Sequence, residues 1–157
     1  GPGAGDVVGG PRLPDAPPQT ARRTPKPLLS TFLAFSMLTV SLYAIAALFT
    51  GTGLAHFVWP GVFERLVPPY FPRPLLLVYL SGAAEIAGGI GVLVPALRPY
   101  AGWGLLLLLG AVFPVHVYMV RHPDAFSRVP LWALVARIPL QFVLMAWVYW
   151  AACRPMG

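Results

Sequence analysis

The sequence predicts an all-α fold: an integral membrane four-helix bundle preceded by a disordered Pro/Gly-rich N-terminal tail. Three observations lead there. Of 157 residues, 57% are hydrophobic and only 10% charged, with a mean hydropathy of +0.71, which is too little polar surface for a soluble domain of this size. Four apolar runs, residues 28 to 49, 75 to 94, 99 to 120 and 131 to 152, match the ~20 residues that cross a ~30 Å hydrocarbon core at ~1.5 Å per residue. Residues 1 to 27 carry seven prolines and five glycines, so they bury too little apolar surface to offset the entropy of ordering.

In chain order, this gives a tail over 1–27 and a four-span membrane domain over 28–157. The basic flank and first apolar run also admit a signal-peptide reading, with Ala44 and Ala46 framing a cleavage site. The run is longer than the ~7–15 residues of a signal core, which favours a span. After residue 49 the chain stays apolar and aromatic through "GTGLAHFVWPGVFERLVPPYFPRP". With Pro60, Pro68, Pro69, Pro72 and Pro74 it cannot be one continuous helix. A short amphipathic segment lying in the outer interface and capping the bundle is expected.

Arg12, Arg22, Arg23 and Lys26 precede the first span, and Arg98 and Arg154 lie on the same side. The first flank usually dominates orientation, so both termini are expected in the cytoplasm. Trp59, Tyr70, Tyr118 and Trp132 would form the outer aromatic belt, and Tyr100, Trp103, Trp147 and Trp150 the inner one. The net charge of +6 is accounted for by these flanks, and the short loops leave no solvated basic face for nucleic acid.

The polar residues inside the spans carry whatever chemistry the chain has. Glu85 sits near the middle of the second span, where a charge costs ~2.5–3.5 kcal/mol even on the lenient insertion scale, so it should face the bundle interior and have a partner or a proton. Arg137 is the expected partner. By helical rise it lies ~9 Å from the outer end of the fourth span and Glu85 ~15 Å from the same side, within side-chain reach of each other on antiparallel neighbours. Ser81, Gly82, Gly88 and Gly89 surround Glu85 with small residues that permit close helix contact. Pro114 and Pro139 each free a backbone carbonyl, of Gly110 and Val135. Together with His116, His56 at the outer end of the first span, Tyr79 and Gln141, the pair defines one candidate polar cluster in the outer half of the bundle. It reads either as a structural pair fixing helix register or as a proton-accessible, ligand-binding cavity.

Other chemistries fit poorly. His116 and His122 are six residues apart and lack the i, i+4 spacing of a helical metal pair, and the lone Cys153 belongs to the opposite membrane face, so no metal site is expected. A single cysteine cannot run dithiol exchange. Asp6, Asp15 and Asp124 all lie outside the spans, which leaves no Ser-His-Asp arrangement. The "GGIG" run lies within a span and is no nucleotide loop.

The succession "HFVWPGVFERLVPPYFPRPLLLVYLSGAAEIAGGIGVLVP", "VFPVHVYM" and "RIPLQFVLMAW" resembles the DoxX-like family of small bacterial four-helix membrane proteins, from about residue 32 to residue 150. Glu85 matches the glutamate of the family's "SG..E..G" pattern, and Arg137 with Gln141 matches "R.PLQ". His116 departs from the asparagine usual after the "FP" step. The resemblance implies a four-helix bundle and an association with membrane redox function, since the family takes its name from a subunit linked to thiosulfate oxidation with quinone. The expected role is therefore an accessory or quinone-associated subunit of a membrane oxidoreductase system, with quinone as the expected ligand and no covalently bound cofactor. The alternative is a non-catalytic interaction or assembly protein, partnered by another membrane or redox protein. Small-solute transport ranks below both, because four spans make a narrow pathway unless the chain forms a homo-oligomer.

Overall fold

A computed structural model describes residues 28–154; the expected tail and the last three residues lie outside the described residues. Those described are helical, without strands. Helix α1 spans Leu28–Val58, α2 Pro60–Glu64, α3 Pro74–Gly91, α4 Arg98–Arg121 and α5 Leu131–Val148, with a 3-10 turn at Pro123–Phe126 and a π-helical continuation of α5 over Tyr149–Cys153. Four of these, α1, α3, α4 and α5 with its continuation, are long and apolar enough to cross a membrane. The protein is a membrane-spanning four-helix bundle.

The first span does not end at residue 49. Helix α1 continues through the Gly-Thr-rich stretch to Val58, about 46 Å at the usual rise. Glycine and threonine are only mildly unfavourable in helices. Thr52 also turns its hydroxyl back onto the helix, donating to Leu48 O at 2.9 Å, with Phe49 O at 3.2 Å. Pro60 stops α1, since it offers no N–H to the ladder and disfavours helical backbone at Trp59, which sits at φ −127°, ψ 54°. Pro60 then opens the short α2, within the stretch where an interfacial segment was expected. The prolines that follow isolate Arg73 in the left-handed region, at φ 53°, and Pro74 occupies the first turn of α3, where its missing N–H costs nothing. At its far end α3 tightens, with Leu93 N–H donating to Ile90 O and Val94 N–H to Gly91 O.

Neighbouring spans run antiparallel, α1 against α3, α3 against α4 and α4 against α5, and the π-helical end of α5 returns to α1 and α4. The main packed cluster lies in the half of the bundle next to the α3–α4 turn, where Leu42, Ile45, Phe49, Val92, Leu105 and Val148 are buried. Arg98 fastens that turn, its Nε donating to Val92 O at 3.0 Å. The perimeter is apolar: Phe35, Leu107, Leu140, Phe142 and Val143 are all exposed, as expected of a surface solvated by acyl chains. Trp59, Tyr70 and Trp132 are exposed at one end and Tyr100, Trp103 and Trp150 at the other, where two interfacial belts would lie.

Candidate functional site

The half of the bundle towards Trp59 buries Val78, Met119 and Leu134 but is not completely filled. A cavity of about 660 Å³ lies among all four spans and the α2 region, with a largely apolar wall that includes Phe49, Phe63, Phe71, Leu108, Val112 and Leu144. Its polar groups are Thr52, His56, Ser81, Glu85, His116, Arg137 and Gln141. Five of the six expected cluster residues therefore share one cavity. Tyr79 does not line it: its ring stacks on Phe57 at 5.4 Å. Six residues separate Tyr79 from Glu85, which rotates it about 120° around α3, away from the cavity.

The α1–α3 wall is set by two glycines. A Cβ on Gly53 would lie 2.7 Å from Gly82 O, and one on Gly82 would lie 2.7 Å from His56 Cβ, so the helices touch backbone to backbone at this level. His56 and Glu85 each follow one of these glycines by three residues, so the crossing brings them side by side. Glu85 Oε2 lies 3.6 Å from His56 Nδ1. The imidazole Nδ1 is also 2.8 Å from Thr52 O. Because a carbonyl can only accept, Nδ1 carries a proton and donates there, which leaves the approach to Glu85 electrostatic. Glu85 Oε2 is buried and has no hydrogen-bond partner. The face of His56 is covered by Phe63 of α2, with ring centroids 3.8 Å apart and planes inclined by 22°.

This revises the expected ion pair. Among the described residues the only ion pair is His56 with Glu85, and Arg137 has no carboxylate within reach. Depth along the spans made Glu85 and Arg137 eligible, but the cavity lies between α3 and the side chain of α5. Arg137 instead lines the cavity together with His116 of α4, whose Nδ1 is buried with no hydrogen-bond partner. Gln141, 4% exposed, donates from Nε2 to Leu109 O at 2.6 Å. The acceptor is one residue before the Gly110 carbonyl that Pro114 was expected to free, in the turn that proline disturbs. Among the described residues no side-chain hydrogen bond reaches Val135 O, the carbonyl beside the second proline, Pro139, and Val135 is exposed on the perimeter.

Sequence reasoning missed Thr52, Ser81 and Phe63 as wall residues. The signal for Phe63 was present in the apolar loop that outlasted the expected first span. Thr52 was hidden by ending that span too early. His122 lies elsewhere, its ring tilted against Tyr118 at 4.3 Å, and among the described residues no three His, Cys, Asp or Glu side chains converge.

The chain belongs to the family described as a domain of unknown function, DUF8561, whose model matches residues 45–152. The matched span contains every residue that lines the cavity. No curated protein and no solved structure matches the chain.

Proposed function

We propose that this member of a family of unknown function is a DoxX-like protein of the bacterial inner membrane, with both termini cytoplasmic, that serves a membrane oxidoreductase system as a quinone-associated accessory subunit. Its cavity is the site of a small lipid-soluble ligand bound without a covalent link. One observation carries the reading: an apolar cavity of about 660 Å³, within the ~300–1,000 Å³ of ordinary ligand pockets, on which the polar side chains of four spans converge. A register device would have no need of the space. Arg137 is suited to orienting a ligand carbonyl through its fork of donors, and Glu85 with His56 to giving or taking a proton.

The test is native mass spectrometry of the full chain after mild solubilisation, wild type against Glu85→Gln. A bound quinone or similar small molecule in the wild type, lost or depleted in the variant, is the expected result. An empty bundle in both, with a membrane protein that copurifies stably, would replace this reading with the assembly role. That role could not use the glycine face of α3 as its docking surface, since Gly82 and Gly89 are already covered by α1.

A further inference from the structure

The cavity has two polar walls that do not meet. On one, α1 and α3 present His56 and Glu85, with Glu85 Oε2 buried and lacking a hydrogen-bond partner. On the other, α4 and α5 present His116, whose Nδ1 is likewise unpartnered, and Arg137, which has neither a carboxylate nor a hydrogen-bond acceptor among the described residues. Polar groups at membrane depth are paired, or they mark the path or seat of a ligand, and buried ones seldom lack a partner. Here two buried, unpartnered atoms, Glu85 Oε2 and His116 Nδ1, belong to opposite helix pairs that line the same cavity.

We infer that the cavity's occupant is a lipid-soluble ring carrying an oxygen at each of two opposite positions, one accepting from Arg137 and the other hydrogen-bonded to the carboxyl of Glu85, so that the ligand completes the bridge the two side chains do not make directly. The inference rests on reading the cavity as a ligand site and adds the ligand's polarity to it. An amphiphile with a single polar end satisfies one wall and leaves the other bare. Phe49, Leu108 and Leu144 on the same lining suit the ring edges and an attached alkyl tail. Quinones and their hydroquinones have this shape, as do other para-dioxygenated rings.

The experiment is calorimetric titration of the full-length protein in mild detergent with decyl-para-benzoquinone, its hydroquinone and decylphenol, which lacks the second oxygen. Wild type, Arg137→Met and Glu85→Met are compared, with unfolding temperatures measured in the same detergent. The hydroquinone is expected to bind wild type at least tenfold more tightly than decylphenol and to lose about tenfold or more in each variant. Decylphenol should respond to only one of the two substitutions. If Arg137→Met does not fold, Arg137→Lys keeps the charge without the planar fork and should give an intermediate loss. Equal binding of hydroquinone and decylphenol, or sensitivity of the hydroquinone to only one wall, overturns the two-ended site while leaving a quinone cavity in place. No binding of quinone or hydroquinone by the wild type overturns both the inference and the quinone reading beneath it.

Discussion

Gly82→Ala is the substitution that most directly tests how the site is held together. The added Cβ would lie 2.7 Å from His56 Cβ, 2.9 Å from Gly53 O and 3.1 Å from the Phe57 ring. Against carbon–carbon contact at about 3.5 Å the first of these is short by about 0.8 Å. Neither a Cβ nor a backbone oxygen can swing aside, so α1 and α3 must separate. Overpacking of this kind costs about 1–3 kcal/mol, while replacing a mid-helix glycine by alanine returns up to about 1 kcal/mol. Gly51→Ala is the control: it lies in the same helix pair, and its Cβ would meet nothing within 4 Å, so only the favourable helix effect applies. The difference in unfolding free energy between the two variants isolates the overpacking cost and should be about 1–3 kcal/mol, with Gly82→Ala the weaker. Reversible unfolding in mixed micelles, followed by tryptophan fluorescence, supplies the measurement. Equal stabilities would mean that the two backbones do not touch at this level, and the account of how His56 reaches Glu85 would fall with it.

Gln141→Leu removes the donor to Leu109 O and leaves a buried carbonyl bare; the same unfolding assay should show a loss of about 1–3 kcal/mol, and an unchanged stability would indicate that water or a neighbouring donor already serves that oxygen. Phe63→Ala uncovers the face of His56, so diethyl pyrocarbonate should modify that imidazole several-fold faster than in the wild type, read site by site by peptide mass spectrometry. An unchanged rate would show that α2 does not shield the cavity.

Hydrophobic length and proline placement were enough to read the number of spans, the approximate bounds of the last three and the break between the first two, because a bilayer imposes one length on every span and Pro60 to Pro74 permit only short helices there. The depth of each polar residue was legible for the same reason, since helical rise converts residue number into distance along the membrane normal. That reasoning brought Glu85, His56, His116, Arg137 and Gln141 to the same half of the bundle, where they share a cavity. Depth says nothing of azimuth across helices, nor of which of two eligible partners is nearer. Those were decided by tertiary packing. The backbone contact of Gly53 with Gly82 seats His56 beside Glu85 and turns Tyr79 away, while the unfilled space between α1–α3 and α4–α5 holds Arg137 apart from the glutamate it was expected to meet. A pairing between spans depends on their mutual rotation and separation, which small residues set by allowing or refusing close approach; neither quantity is carried by the period or length of any one helix.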